Sequence, residues 1–472
     1  MKVVKNYLYN AFYQVFILIV PLITTPYLAR VLGPKGVGIN SYTNSIIQYF
    51  ILFGSIGVNL YGNRQVAFVR DDREELTKTF YEIFFMRLIT IMIAIFVFEI
   101  FISFNGSYRI YYLAQSVSIV AAAFDISWFF MGVENFAVTV FRNLIVKIIT
   151  VVSIFLFVKS YSDLTIYILI LSLSLLFGNL TLFPSLHRYL GKFHISELRI
   201  WRHLWPSLIL FIPQIATQIY LVLNKTMLGS MISVQSAGYF DQSDKMIKMV
   251  LAVVTATGTV MLPHVANAFA NGQHDKTKEY LYSSFSFVTA LSVPMTFGLI
   301  AVAHKFVPLF FTSRFNSVTP IMMIESVVIL LIAWSNAIGT QYLLPTRQNR
   351  SFTLSVIFGA VVNLIANIPL ILMYGAVGAA IATVLSELSV TVYQLIVVRK
   401  QINYRMLFDD QYKYFLSGLV MYLLIVVIDK VLPSDWISLI IEVCSGIFIY
   451  LILLLILKVK LIGKGRVLLK NK

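Results

Sequence analysis

PYLARVLGPKGVGINSYTNSI, residues 26–46, and YLVLNKTMLGSMISVQSAGYFDQSDKMI, residues 220–247, are two versions of one pattern. In each, an apolar run ends at a single cation, Arg30 or Lys225. A Leu-Gly break follows, Leu32-Gly33 or Leu228-Gly229, then a short loop and a glycine, Gly38 or Gly238, expected to open the next helix. The repeat divides the chain into two related halves. Paired halves of this kind are the sequence signature of many secondary transporters, whose substrate site lies between the halves.

Working outward from these two stretches, apolar runs separated by short polar breaks continue to the end of the chain. Spans are expected near 7–29, 40–62, 80–104, 110–131, 139–158 and 164–186, and again near 204–223, 237–262, 280–302, 319–343, 352–373 and 376–397. A last pair is expected at 412–431 and 437–457. The chain has 472 residues, 59% hydrophobic and 12% charged, with a mean hydropathy of +0.83. That balance supplies roughly fourteen spans at ~20 residues each and excludes a soluble enzyme. The fold class is therefore an all-α polytopic membrane protein of about fourteen transmembrane helices. It is organised as an N-terminal six-helix bundle (1–186), a cytoplasmic linker (187–203), a second six-helix bundle (204–397), an appended helix pair (398–457) and a basic cytoplasmic tail (458–472).

A net charge of +16 and a pI near 9.6 would suggest nucleic acid in a soluble domain. Here the cations follow topology instead. Placed with the N-terminus inside, the inner segments hold clusters such as Arg64, Arg70, Arg73 and Lys78, then Arg188, Lys192, Arg199 and Arg202, then Arg399, Lys400, Arg405 and Lys413. The outer segments hold scattered cations, among them Lys159, Lys305 and Lys430. Cytoplasmic loops retain positive charge, so both termini are expected in the cytoplasm, and attraction to anionic membrane lipid replaces nucleic acid as the meaning of the charge. The loops are too short for a catalytic domain, and no phosphate-binding glycine loop is present. No cofactor is implied. Cys444 is the lone cysteine and builds neither a disulfide nor a metal site. The six histidines, His203 among them, read as interfacial bystanders.

Three segments carry a resemblance to a known family: PYLARVLGPKGVG; NKTMLG with AGYFDQSDKMIKMV and VMLPHVANAFA; and LLPTRQNRSFTLSVIFGAVVNLIANIPLILMYGAVGAAIATVLSE. In this order and spacing they resemble polysaccharide and oligosaccharide flippases of the multidrug/oligosaccharidyl-lipid/polysaccharide (MOP) exporter superfamily, over about residues 1–400. The resemblance implies a V-shaped pair of six-helix bundles around a central cavity in a bacterial plasma membrane. It also implies movement of undecaprenyl-pyrophosphate-linked oligosaccharide repeat units from the inner to the outer leaflet by alternating access, with a polysaccharide polymerase as a candidate partner. Where relatives often carry an acid beside the cation of the seventh span, this chain has Asn224 next to Lys225. A drug/cation antiporter of the same superfamily is the competing reading, followed by a membrane glycosyl-polymerase. The antiporter is expected to rely on acidic cavity residues and the polymerase on a large outer loop.

Ionisable residues within spans are candidates for substrate contact, because a charge at the bilayer centre costs roughly 2.5–3.5 kcal/mol. Asp241, Asp244, Lys245 and Lys248 fall at about 0°, −60°, 40° and −20° around a helix at 100° per residue, which makes one face and two i, i+4 pairs. The alternative is an outer-surface patch ahead of a span that begins near Met246. Arg30, whose planar donor fork suits a pyrophosphate, and its counterpart Lys225 complete the set of substrate-binding candidates. Arg30 has an equal alternative, bonding backbone carbonyls to tie down the turn after it. Glu82 and Arg87 read as partners of each other. Asp125, Glu325, Glu387 and Glu442 are isolated acids in apolar surroundings, each read as either a buried helix–helix contact or a proton or cation coupling site.

Overall fold

The computed structural model describes residues 2–461; the expected tail lies mostly outside them. The described residues are helical throughout their membrane segments and contain no strand. In chain order the helices are α1 (Lys2–Ser55), α2 (Val58–Val69), α3 (Arg73–Phe104), α4 (Arg109–Ala123), α5 (Ser127–Gly132), α6 (Phe136–Phe157), α7 (Leu164–Leu180) and α8 (Leu204–Met231). They continue as α9 (Val234–Ala270), α10 (His274–Phe310), α11 (Val318–Glu325), α12 (Val327–Ser335), α13 (Asn349–Tyr374), α14 (Ala376–Val398), α15 (Tyr404–Leu407), α16 (Gln411–Val431) and α17 (Trp436–Ile456). Every expected span is matched by helix, with α1 supplying the first span and, together with α2, the second.

The repeat's glycine breaks sit differently from expectation. Gly33 does interrupt α1, at φ 65°, a conformation glycine adopts without a Cβ penalty. The next helical segment then starts at Pro34, whose fixed φ and missing N–H suit a first helical position, and Gly38 lies inside it. In the second copy the break falls at 232–233. Ser233 caps α9, its hydroxyl accepting from the Ser236 N–H at 3.2 Å, and Gly238 is again internal. Pro34 and Ser233, rather than the glycines, set the helix starts. Other starts are capped by carboxylates: Asp72 accepts from the Glu74 and Glu75 N–H groups at 2.9 and 3.2 Å, and Asp435 from Ser438 at 2.7 Å.

The chain divides into two compact units, Met1–Gly229 and Ser230–Lys472. The first is held by an aromatic core around Phe80, Trp128, Phe129 and Phe130 and by a second cluster that includes Ile47, Ile91, Phe98 and Tyr112. The second unit packs α10 against α16 and α17 through Val293, Tyr414, Met421, Ile425 and Tyr450. Ile93, Phe96, Val97 and Ile100 on α3, like Ile440, Ile447 and Phe448 on α17, lie on the outside, as required of a surface whose solvent is hydrocarbon.

Candidate functional site

Four of the six candidate residues form a ladder on α9, within the second unit. Lys245 Nζ lies 2.5 Å from Asp241 Oδ2, and Lys248 Nζ lies 2.7 Å from Asp244 Oδ2. The carboxylates face inward, with side chains 6% and 14% exposed, while the lysine side chains stand 43% and 47% exposed. The ladder therefore presents two cations, each anchored by a carboxylate. One turn of the same helix is tied inward by Ser243, whose hydroxyl donates to Glu325 Oε2 at 2.5 Å. Glu325 is thus a buried helix–helix contact, one of the two roles expected of it. α9 has 37 residues, about 55 Å at 1.5 Å per residue, against ~30 Å of hydrocarbon.

Arg30 and Lys225 belong to the first unit. Arg30 is exposed and its Nη1 donates to the Pro26 carbonyl at 2.8 Å, so one arm of the fork holds its own helix one turn before the Gly33 break. Lys225 is half-buried beside the buried Asn224. The end of α8 that carries it packs on α1: Thr226 Oγ1 donates to Ser45 Oγ at 2.9 Å. Gly229 rests on Tyr42 so closely that a Cβ would lie 2.0 Å from the ring. The structure thus gathers Asp241, Asp244, Lys245 and Lys248 into one group and places the repeat's two cations in the other unit.

Sequence reasoning missed what the segment 187–203 does. It is strapped along α3. Arg73 Nη2 donates to the Leu190 carbonyl (2.9 Å), the Gly191 N–H to Thr77 Oγ1 (2.8 Å) and the Arg199 N–H to Glu82 Oε1 (2.6 Å). Glu82 is 2% exposed and also takes Arg202 Nη2 at 2.6 Å and His203 Nε2 at 2.7 Å. His203 is buried, and its Nδ1 lies 2.7 Å from the Tyr61 hydroxyl. An ionised carboxylate only accepts, so His203 donates through Nε2 and accepts the Tyr61 proton at Nδ1, as a neutral imidazole. Burial holds its pKa below the ordinary histidine value, against the opposing pull of Glu82.

Two further expectations are corrected. His203 is a core group and not a bystander. Glu82 and Arg87 do not pair; five residues apart they lie about 140° apart on α3. Arg87 instead turns to Asp125 (3.5 Å to Oδ2), the Asp125 carbonyl (2.9 Å) and Asn59 Oδ1 (2.7 Å). Lys305 lies in the C-terminal part of α10 with a side chain 3% exposed, bonded to Glu442 and 2.9 Å from Asp429 Oδ1. Glu442, fully buried on α17, therefore has an ammonium partner. Among the described residues no group of three His, Cys, Asp or Glu is arranged to hold a metal ion.

A family model described as Polysaccharide biosynthesis protein matches residues 3–269 of this chain. An Escherichia coli K12 protein with the provisional name O-antigen transporter is 23% identical over 402 residues, spanning 84% of this chain and 96% of the relative. Among solved structures, lipid II flippase MurJ in an inward closed conformation superposes with a TM-score of 0.81 at 19% identity, over 97% of this chain and all of that one. An inward-facing multidrug resistance MATE family transporter of the MOP superfamily gives 0.64 at 10% identity, over 88% and 95%. At such identities the two structures speak to the fold.

Proposed function

The chain belongs to the polysaccharide biosynthesis protein family of the MOP superfamily, and on that premise we propose that it is a lipid-linked glycan flippase of the bacterial plasma membrane. The cargo is an undecaprenyl-pyrophosphate-linked oligosaccharide repeat unit, moved from the inner to the outer leaflet by alternating access and passed on for surface polysaccharide assembly, with a polymerase as downstream partner. Both termini lie in the cytoplasm. No covalent chemistry is involved. The task is to carry a charged, hydrated headgroup across ~30 Å of hydrocarbon while the polyprenyl tail stays in lipid.

The observation that carries this reading is the α9 ladder. Lys245 and Lys248 are each held by an inward carboxylate, yet their side chains stay close to half exposed. An ammonium has three donors and its pair uses one of them, so an arriving diphosphate finds oriented cations already in place. A drug/cation antiporter would need the acids to be the exposed members, and here they are the shielded ones. Arg30 and Lys225 act as further headgroup contacts along the path, with Asp241 and Asp244 as the residues that orient the lysines.

The test is a chromosomal deletion with complementation. Deletion cells should accumulate the lipid-linked glycan on the cytoplasmic side of the membrane, and the wild-type gene should clear it. The exchange Asp241→Lys with Lys245→Asp keeps the pair but moves the cation one helical turn. It should restore protein level without restoring export. Full export by the exchanged protein, or by Lys245→Ala, removes the ladder from the mechanism. Absence of any accumulated lipid-linked glycan in the deletion strain overturns the flippase reading itself.

A further inference from the structure

The second span of the first unit is broken near its middle. α1 stops at Ser55 and α2 starts at Val58, and between them Ile56 (φ 42°) and Gly57 (φ 69°) both adopt the left-handed conformation. Gly57 does so freely, but for a β-branched isoleucine this is an outlier that the surroundings must enforce. They do: the Ser207 hydroxyl donates to the Ile56 carbonyl at 2.6 Å. Phe211 closes on Gly57 so tightly that an added Cβ would sit 3.0 Å from the Phe211 Cβ. Broken membrane helices are tolerated where they line protein-enclosed polar space, and in secondary transporters such breaks are where substrates are held.

A cavity of about 160 Å³ opens at this break, with Gln48, Ser55, Asn59 and Gln218 as its polar wall and Phe211 and Val222 among its apolar side. Among the described residues no ionised side chain lines it. The charge lies one layer behind: Arg87, 2% exposed, donates from Nη1 to Asn59 Oδ1 at 2.7 Å, and its own charge is met by Asp125 at 3.5 Å. That bond decides which end of the Asn59 amide is which. With Oδ1 committed to the guanidinium, Nδ2 is the group Asn59 can offer to a ligand.

We propose that this cavity is a subsite for one uncharged sugar ring of the transported glycan, bound through Gln48, Asn59 and Gln218, with Arg87 as the residue that positions Asn59. The inference rests on the flippase reading and adds the chemistry of one contact to it. Among the described lining residues a phosphate would meet no cation, whereas a sugar hydroxyl is donor and acceptor at once and matches side-chain amides, which are the same. A cavity of about 160 Å³ has room for a sugar ring. A ligand bound at this wall reads the identity of its ring substituents, which is the property that distinguishes one glycan from another.

The experiment is saturation-transfer NMR on the purified full chain in detergent. The probes are five free neutral sugars (glucose, galactose, mannose, N-acetylglucosamine and N-acetylgalactosamine), with inorganic pyrophosphate as competitor. At least one sugar should give a signal, and pyrophosphate should leave it unchanged. Asn59→Asp keeps, and strengthens, the bond to Arg87 but removes the Nδ2 donor. It should be at least as heat-stable as wild type and lose the sugar signal several-fold. Arg87→Lys can still hold Oδ1 with one bond and should retain part of the signal that Arg87→Met loses. Silence from all five sugars, displacement by pyrophosphate, or an undiminished signal in Asn59→Asp overturns the subsite. An equal loss in Arg87→Lys and Arg87→Met overturns the positioning role. Sugar binding that depends on Asn59, in a protein whose deletion accumulates no lipid-linked glycan, would instead keep the subsite and sink the flippase reading.

Discussion

Arg202 is the exposed member of the strap that ties 187–203 to α3, and its removal is the most direct perturbation of that strap. Glu82 is 2% exposed and Arg202 46%, so Arg202→Ala strips the counter-charge from a carboxylate that cannot reach water. Breaking a buried pair from one side costs about 3–5 kcal/mol. Because solvent already screens half of Arg202, and the Arg199 N–H and His203 still donate to Glu82, the cost falls below that range, to about 2–3 kcal/mol. For a unit of some 230 residues this lowers the melting temperature by roughly 5–10 °C.

Glu82→Gln should cost less, about 1–2 kcal/mol, since the amide oxygen still accepts and no charge is left buried. The double change Glu82→Gln with Arg202→Ala should then be no worse than Arg202→Ala alone, because the buried charge that makes the single change costly has gone. Scanning fluorimetry of the purified protein in detergent, over the four members of the cycle, measures this. A melting temperature in Arg202→Ala within 1 °C of wild type, or strictly additive losses in the double variant, would refute the reasoning and make the strap an ordinary surface pair.

Acid should loosen the same strap: His203 is held below its ordinary pKa by burial, so the unfolded state binds its proton first. The stability it contributes is complete above about pH 6.5 and is lost as pH falls. The melting temperature should drop between pH 7 and pH 5, and His203→Gln should flatten that slope. Arg30→Ala should reduce export strongly while the protein still inserts, with Arg30→Lys restoring it only in part; loss of membrane-inserted protein in Arg30→Ala would assign Arg30 to the Pro26 turn alone. For topology, cysteines placed at Asn105 and Ser434 in a Cys444→Ser background should react with an impermeant thiol reagent from outside, and those at Asp71 and Asn349 should not; reversed labelling overturns the orientation.

The spans were legible because hydrocarbon imposes one demand on every crossing segment, some twenty apolar residues with internal backbone bonding, and that demand acts locally along the chain. The Gly33 break was legible for the same reason. Where helices restart is also written locally, in Pro34 and Ser233 and not in the repeated glycines. What could not be read were pairings between residues far apart in sequence. Glu82 meets donors from 199–203, Lys305 meets Glu442, and Arg87 meets Asn59 and Asp125, none within one helical turn. One negative signal was available: Glu82 and Arg87 point about 140° apart on any α-helix, so each had to have a partner elsewhere. The α9 ladder was legible because i, i+4 pairs are local.

The fate of each lysine in these pairs separates fastening from transport. Lys305 is 3% exposed and held by Glu442 and Asp429; releasing it from two carboxylates in the interior would cost several kcal/mol, so it is a fixed pin between α10, α16 and α17. Lys245 and Lys248 are each close to half exposed and each has one i, i+4 carboxylate. Swinging such an ammonium away from a shielded acid costs at most about 2–3 kcal/mol, the figure for Arg202 and Glu82, whose exposures are similar. On the proposed reading, that is small enough for the oxygens of a passing diphosphate to take the carboxylate's place and then give it back. A carrier needs its cations positioned yet exchangeable, because a site that holds the headgroup too firmly releases nothing on the far side. Shielded acids under half-exposed lysines meet both conditions, and the fully buried Lys305 pair meets only the first.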